Sequence, residues 1–222
     1  MRDIDLDALL PKIWTALLQT LQMVTVSFLI AAVCGVLLGI VLYATRKGNI
    51  LQNAVVFGVL NTIINVVRPI PFIILIVAIS PLTRVVVGTS IGTEAAIFPL
   101  TIVAAIAIAR IAETNLVAVD PGTIEAGTAM GARPLRVLLT IVIPESLGPL
   151  VLGLTYILVA LVDATAVAGV VGGGGLGNLA LTYGWQRFDF FVMAVVITLL
   201  IVIVQLAQLL GNLVSRKVLH TR

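Results

Sequence analysis

The longest uncharged run is the feature that most restricts what this chain can fold into. Between Lys12 and Arg46 there are 33 residues without a charged side chain. As one α-helix this run would be about 50 Å long, whereas the hydrocarbon core of a bilayer is about 30 Å thick. Residues 190–215 form a second uncharged run. Such runs indicate membrane-spanning helices, and the first must tilt or extend beyond the bilayer.

The composition of the whole chain agrees with this assignment. Of the 222 residues, 60% are hydrophobic and 10% are charged, whereas soluble domains carry about 25% charged residues. We therefore expect an integral membrane protein. The net charge of +3 does not indicate nucleic-acid binding, because the basic residues are scattered at span ends and form no stripe interleaved with aromatic residues.

Hydropathy and turn residues divide the chain into five expected membrane helices. The second is expected to be broken or kinked at Pro69 and Pro71, because proline lacks the N–H that continues a helix. A short turn over residues 81–88 is expected before the third, and a flexible glycine-rich connection over residues 172–177 before the fifth. The five spans cover about residues 13–45, 57–80, 90–112, 138–162 and 190–215. The prediction is an all-α membrane protein with one transmembrane domain over residues 1–222.

A comparatively polar stretch interrupts the apolar sequence between the third and fourth spans. Asp120 can accept hydrogen bonds from the free N–H groups of a helix start, and Pro121 suits the first helical position. Gly131 can adopt the left-handed conformation that ends a helix, and Pro134 prevents its continuation. These residues predict a helix over about residues 121–131. So short a helix is marginal alone and needs a docking partner.

The spacing in this stretch resembles the cytoplasmic coupling-helix motif of ABC importer permeases. That motif is Glu-Ala-Ala, three residues, Gly, nine residues, Ile, one residue, Leu-Pro. The matching positions are Glu125, Ala126, Gly131, Ile141 and Pro144. Two positions depart from it, with Gly127 for the second alanine and Ile143 for the leucine. The resemblance implies an ATPase-coupling site made of Glu125, Ala126, Gly127, Met130, Gly131, Ala132 and Pro144. From the residues alone, an ordinary loop helix between two spans is the alternative.

Beyond this motif, most of the chain from about residue 13 to residue 215 is similar to the permeases of methionine-type ABC importers. The stretches that carry the similarity are residues 68–75, 83–92, 125–131 and 174–177. The resemblance implies a type I importer permease fold and a homodimer with its path along the dimer axis. It also implies a cytoplasmic ABC ATPase dimer, an extracytoplasmic solute-binding protein and a small-molecule substrate, methionine, moved by alternating access.

A cytoplasmic coupling helix would place the N-terminus outside the bacterial inner membrane and the C-terminus inside. Eight basic residues would then be cytoplasmic, namely Arg46, Lys47, Arg110, Arg133, Arg136, Arg216, Lys217 and Arg222. Four would be outside, namely Arg2, Lys12, Arg84 and Arg187. This division agrees with the positive-inside rule.

The chain is expected to carry no ATP site and no enzyme activity. None of its lysines, Lys12, Lys47 and Lys217, follows the glycine loop of a phosphate-binding Walker motif. We therefore expect no cofactor on this chain, with ATP and Mg²⁺ bound by the partner ATPase. The glycines of residues 172–177 match a dinucleotide fingerprint in spacing only, because they follow a membrane helix and not a strand. His220 has no cysteine or carboxylate cluster nearby, so no metal site is expected.

Four residues are candidates for the substrate path or its gate. Asp163 is the first, because an ionisable group in or near a span is costly and indicates function. Thr165 and Val167 follow it in a segment that reads Ala-Thr-Ala-Val where the methionine permeases tend to have Tyr-Ser-Ala-Met. Arg68 is the fourth. In plainer interpretations, Asp163 reaches the outer interface or bonds nearby backbone, and Arg68 anchors a kinked helix. The asparagines of the second span are predicted to connect helices.

The residues leave other functions open. A gradient-driven carrier or channel subunit would need an inverted repeat with paired broken helices and no coupling motif. A structural membrane protein without a transport role would not explain the register of Glu125, Gly131 and Pro144. Within the importer class, another small polar solute is the alternative to methionine.

Overall fold

The computed structural model describes residues 6–49 and 51–220, and every regular element in this part of the chain is a helix. Arg2, Arg222 and the side chain of His220, which entered the predictions of topology and metal binding, lie outside the described residues. The four longest helices are α1 (Leu6–Thr45), α5 (Thr93–Val117), α8 (Ile143–Ala168) and α10 (Phe190–His220). Each belongs to a segment long and apolar enough to span a membrane.

The second span is broken at its prolines, as predicted. The helix α2 (Ala54–Val67) is capped by Asn53, whose Oδ1 accepts hydrogen bonds from the N–H groups of Val55 and Val56, both at 3.1 Å. The helix α3 (Phe72–Ala78) begins directly after Pro71. Counting this bent pair as one broken span gives five membrane spans, the predicted number.

Residues 81–88 form most of a helix, so the predicted turn is wrong. The helix α4 (Ser80–Val87) has Pro81 in its first turn, where the missing N–H is not needed. Gly88 ends it in the left-handed conformation, with a φ of 89°. Proline and glycine mark a turn when they are adjacent, but here they stand at opposite ends of a two-turn helix.

Two short helices connect the third and fourth spans. They are α6 (Pro121–Ala129) and α7 (Pro134–Val137), and a π-helical segment, Leu138–Val142, runs from α7 into α8. The predicted short helix between these spans is thus present. The fourth span is longer than predicted, since the continuous apolar segment covers Pro134–Gly173.

The glycine-rich stretch after the fourth span is packed, so the predicted flexible connection is wrong. It comprises an irregular segment, Gly169–Gly173, the helix α9 (Gly175–Leu179) and a π-helical segment, Ala180–Trp185. The N–H of Gly175 donates to Oε1 of Gln19 at 2.8 Å, and the N–H of Leu176 donates to Oγ1 of Thr20 at 2.9 Å. Side chains of α1 therefore satisfy two N–H groups of this stretch, whose residues Gly175, Leu176 and Gly177 are buried.

The chain forms two compact units. Unit 1 comprises Met1–Ile30, Ile70–Val103 and Leu158–Gln208, and unit 2 comprises Ala31–Pro69, Ala104–Ile157 and Leu209–Arg222. The core of unit 1 is formed by Leu9, Ala16, Leu176, Leu179, Val192 and Val196. Unit 2 has one apolar cluster around Leu42, Ile64 and Ala109, and another beneath α6. Four of the five boundaries between the units fall inside the long helices, and the fifth falls between α2 and α3. The single domain over residues 1–222 stays a prediction.

Candidate functional site

The helix α6 begins and ends at the residues that the sequence indicates. Oδ1 of Asp120 accepts a hydrogen bond from the N–H of Gly122 at 2.8 Å, and Pro121 is the first residue of the helix. The helix ends at Ala129, and Gly131 then turns the chain with a φ of 80°. The predicted helix is confirmed and ends two residues earlier than expected.

The coupling-motif residues divide between an exposed face and a buried face. Glu125, Ala126 and Gly131 are exposed, and Met130 is 81% exposed. Gly127 is buried. The exposed face carries one carboxylate, one flexible thioether and small residues over which another protein's backbone can approach closely. Its chemistry is that of a docking surface.

Gly127 is the point at which α6 meets the segment that leads into the fourth span. A Cβ on residue 127 would lie 2.6 Å from Cδ1 of Ile141, well inside van der Waals contact. Gly127 stands where the motif has its second alanine, and Ile141 is itself a motif position. The departure from the motif therefore lets α6 lie closer to the π-helical segment.

A buried apolar cluster beneath α6 connects it to three spans. Its members are Tyr43, Leu116, Val119, Val137, Leu138 and Val142, with Ile40, Ile124, Ala132, Ile141 and Ile143 packed against them. These residues come from the ends of α1 and α5, from α6 and the turn after it, and from the segment that leads into α8. Because close-packed interiors transmit displacement, a force on α6 reaches these spans.

Pro144 accounts for the irregular helix before the fourth span. It is half-buried in the first turn of α8, and without an N–H it cannot bond the carbonyl four residues earlier, at Thr140. In the π-helical segment the N–H of Ile143 reaches the carbonyl of Leu138, five residues away. The motif proline thus sets a local bulge between α6 and the fourth span.

A polar network at the third span was not among the sequence candidates. Nη1 of Arg110 lies 2.5 Å from Oε2 of Glu113, one turn further along α5. Nη2 of Arg110 donates to Oδ1 of Asn61 at 2.8 Å and to Oδ1 of Asn65 at 2.7 Å. Arg46 is a more distant partner of Glu113, at 3.9 Å. This network links α2, α5 and Arg46, the residue after α1, within unit 2.

The Glu113 side chain is only 4% exposed, so Arg110 stabilises its charge in place of water. The prediction that the asparagines of the second span connect helices is confirmed at Asn61 and Asn65. The signal that could have found the network is the three-residue spacing of two opposite charges, Arg110 and Glu113, in a membrane-spanning helix.

The four path candidates do not share one environment. Asp163 and Val167 lie one turn apart on α8, and Asp163 is exposed while Val167 is half-buried. Thr165 is 1% exposed and donates its hydroxyl to the carbonyl of Val162 at 2.7 Å. Arg68 follows α2 directly and is exposed. The side chains of Asp163 and Arg68 are thus exposed in the single chain, whereas the Thr165 hydroxyl is bonded within the protein.

The family model for the binding-protein-dependent transport system inner membrane component matches residues 31–220. The chain belongs to this family. A relative from Vibrio cholerae, described as a probable D-methionine transport system permease protein MetI, is 42% identical over 214 residues, which cover 96% of this chain and 93% of that protein. The methionine import system permease protein MetP of Bacillus subtilis is 40% identical over 206 residues, which cover 93% of each chain.

Solved structures agree with this membership in the binding-protein-dependent transport family. A chain of the MetNI methionine ABC transporter in an inward-facing conformation matches with a TM-score of 0.90 at 42% identity, over 95% of this chain and 98% of that one. An amino acid ABC transporter with histidines has the same fold, with a TM-score of 0.81 at 19% identity over 98% of this chain and 99% of that one. This permease is thus an all-α membrane protein with five spans and with α6 between the third and fourth.

Proposed function

We propose that this chain is the transmembrane permease subunit of an ATP-driven methionine importer. The observation that carries the proposal is α6, a capped short helix whose exposed face has the small residues and single carboxylate of a coupling helix. The 42% identity to a probable D-methionine permease supports methionine as the solute. The chain itself is a permease subunit without enzyme activity, and a separate ATPase subunit binds ATP and Mg²⁺.

The permease works as a homodimer with a solute path along the dimer axis. The exposed face of each α6, including Glu125 and Met130, rests in a groove of a cytoplasmic ABC ATPase dimer. The likeness to a chain of a methionine ABC transporter supports this assembly. An extracytoplasmic solute-binding protein delivers the solute, in keeping with the description of the family.

In this proposal α6 lies on the cytoplasmic side of the bacterial inner membrane. The N-terminus is then outside and the C-terminus inside, because five spans separate them. The exposed residues Arg133 and Arg136, which lie between α6 and the fourth span, support this orientation, since basic residues concentrate on the cytoplasmic side.

ATP-driven closure of the ATPase dimer draws the two α6 helices together. The contact of Gly127 with Ile141 and the apolar cluster beneath α6 carry that displacement to α1, α5 and the fourth span. Rigid-body motion of packed spans then alternates the access of the path between the two sides. Asp163, Val167 and Arg68 line this path, and Thr165 supports it from the buried side of α8.

A second candidate solute class is another small polar molecule. The observation that favours it is the segment over residues 164–167, which is small and follows the exposed carboxylate of Asp163. Compared with the Tyr-Ser-Ala-Met segment of the methionine permeases, this lining has smaller side chains and is more acidic.

The test is uptake of labelled L- and D-methionine into liposomes that hold this chain with its ATPase and binding protein. Saturable uptake that requires ATP and is competed by unlabelled methionine is expected. Glu125→Lys should abolish this uptake. Glu125→Gln, which keeps the shape of the side chain, should retain more of the uptake than Glu125→Lys does. If the binding protein stimulates ATP hydrolysis but no methionine is taken up, the chain is an importer permease for a different solute. Uptake without ATP would overturn the proposal.

A further inference from the structure

The helix α2 of the second span buries little apolar surface within the chain. Among its residues, all of which the structure describes, Ile64 is the one that is buried. Ile64 belongs to an apolar cluster with Leu42 of α1 and Ala109 of α5. Phe57 and Leu60 of α2 are partly buried against the same cluster. Because stabilisation by burial scales with the apolar area removed from water, packing alone fixes the position of α2 weakly.

Arg110 of α5 supplies a polar attachment for α2. Its Nη2 donates to Oδ1 of Asn61 at 2.8 Å and to Oδ1 of Asn65 at 2.7 Å. Because Asn61 and Asn65 are four residues apart, they lie on the same face of α2. Nη1 of Arg110 lies 2.5 Å from Oε2 of Glu113, and a planar guanidinium can make such bonds in several directions at once. One side chain of α5 thus holds two successive turns of the second span.

The helices α1 and α5 are in close contact beside this network. A Cβ on residue 39 of α1 would lie 2.5 Å from Cβ of Ala112 and 3.1 Å from the backbone N of Glu113. Only a glycine, Gly39, therefore allows the two backbones to approach so closely. Since close-packed helices transmit displacement to one another, α1 and α5 move together at this level.

The network adjoins the apolar cluster beneath α6. Leu116 of that cluster follows Glu113 by three residues on α5, and Tyr43 of the same cluster precedes Arg46 by three residues. Residues three apart on a helix are neighbours. A contiguous series of packed and hydrogen-bonded groups therefore leads from α6 through Glu113 and Arg110 to α2, which is the kind of connection that can carry coupling between distant parts of a protein.

The ion pair of Arg110 and Glu113 is expensive to bury. The Glu113 side chain is 4% exposed and that of Arg110 is 22% exposed. Apolar side chains in the place of such a pair are often as stabilising or more so, so stability alone is a weak reason for its presence. The pair has a second use here, because Glu113 fixes the guanidinium with its Nη2 directed at α2.

We propose that Arg110 is a positioning residue that makes the second span follow the displacement of α6. The inference rests on the transport function proposed above, in which only α1, α5 and the fourth span receive that displacement. Arg68, a candidate for the solute path, is the residue directly after α2. Movement of α2 therefore repositions Arg68 when the ATPase dimer closes.

The test separates α2 from the ion pair. The double variant Asn61→Ala, Asn65→Ala removes both acceptors on α2, whereas Arg110 and Glu113 keep their bond. It is assembled in liposomes with the ATPase and the binding protein, and methionine uptake and ATP hydrolysis are measured together. We expect the methionine taken up per ATP hydrolysed to fall about tenfold, a factor that corresponds to the loss of one hydrogen bond to a charged group. A change that only lowered the number of folded complexes would leave this ratio unaltered.

Spin labels measure the displacement directly. In a Cys34→Ser background, labels are placed through Val55→Cys at the start of α2 or through Leu135→Cys on α7, at residues that are 74% and 56% exposed. The distance between the labels of the two copies is measured with and without ATP. In the otherwise unchanged chain, ATP should alter both distances. In the double variant, ATP should still alter the distance at position 135 but no longer that at position 55.

Two further variants serve as controls. Asn61→Ala, Asn65→Asp returns one acceptor oxygen to α2 and should restore the ATP response at position 55. Thr62→Ala removes an exposed hydroxyl from the same helix and should change neither the response nor the uptake per ATP.

The outcomes distinguish this inference from the function on which it rests. An unchanged ATP response at position 55 in the double variant, with normal uptake per ATP, would overturn the role of Arg110 and leave the importer intact. Loss of the response in Thr62→Ala as well would also overturn it. If the chain without these substitutions shows no ATP response at position 135 and no ATP-dependent uptake, the proposed transport function fails and the inference with it.

Discussion

The backbone of Gly127 lies so close to Ile141 that a Cβ on residue 127 would stand 2.6 Å from the Cδ1 atom of that side chain. This contact joins α6 to the segment that leads into the fourth span, and both residues occupy positions of the coupling motif. The proposed transmission of force from the ATPase therefore depends on the small volume of residue 127.

Enlarging residue 127 should uncouple the transporter. Gly127→Leu is expected to displace α6, to abolish uptake and to destabilise the chain by about 1–3 kcal/mol, the range for overpacking. Gly127→Ala should be milder, because the atom it meets is the flexible end of Ile141. Ile141→Val removes that atom and should rescue Gly127→Ala, which a double-mutant cycle on thermal unfolding and uptake would measure. Normal uptake by Gly127→Leu would contradict this role of the contact.

The end of α6 should tolerate only residues that accept a left-handed backbone. Gly131 has a φ of 80°, and the position that a Cβ would take is open, so a substitution there acts through conformation and not through a clash. Gly131→Val is expected to lose ATP-coupled uptake although the five spans still insert, whereas Gly131→Asn should keep most of it, since asparagine adopts this conformation more readily. Uptake and ATPase co-purification measure the effect. Equal uptake by the two variants would show that this helix end does not matter for docking.

The two ion pairs of Glu113, with Arg110 and with Arg46, should contribute unequally to the stability of the chain. Glu113→Gln is expected to destabilise the purified chain by about 3 kcal/mol, because it breaks a buried pair with Arg110. Arg46→Gln should cost under about 1 kcal/mol, since Arg46 is 48% exposed and lies 3.9 Å from Glu113. Thermal unfolding in detergent measures both. Similar losses for the two variants would show that burial and distance do not decide the strength of these pairs.

Two path candidates on α8 should have different effects when replaced. One should change the uptake rate or the solute preference, and the other should change the free energy of unfolding. Asp163 is exposed, so Asp163→Asn is expected to change the uptake rate or the solute preference with little effect on unfolding. Thr165 is buried and bonded to Val162, so Thr165→Val should cost about 1 kcal/mol of stability and leave the solute preference unchanged. Competition assays with other amino acids measure the preference. The opposite outcome would move the path to the other side of α8.

The proposed orientation predicts which loops react with an impermeant thiol reagent. With the exposed Cys34 replaced by serine, a cysteine at the exposed residue Gln186 should react in intact cells. A cysteine at the exposed residue Lys47 should react only after the membrane is opened. The reverse pattern would place α6 outside and would remove ATPase docking from the proposal.

Local chemistry made α6 predictable. Its boundaries follow from Asp120, Pro121 and Gly131, each of which acts on backbone groups within a few residues of itself. The membrane class and the break after α2 are predictable for the same reason. Hydropathy is a property of each segment itself, and a proline interrupts the helix at its own position. The turn expected over residues 81–88 shows the limit of such reasoning, because the same residue types can bound either a turn or a short helix.

By itself, then, the sequence determined the membrane class, the number of spans and the limits of the docking helix. Only the tertiary structure decided that the glycine-rich stretch is packed against α1, because the groups that bond it, Gln19 and Thr20, lie 156 residues away along the chain. It alone also decided that Arg110 bonds Asn61 and Asn65, which are 49 and 45 residues away. The physical reason is that hydrogen bonds and packing between distant residues depend on how the helices come together, which leaves no periodic pattern in the sequence.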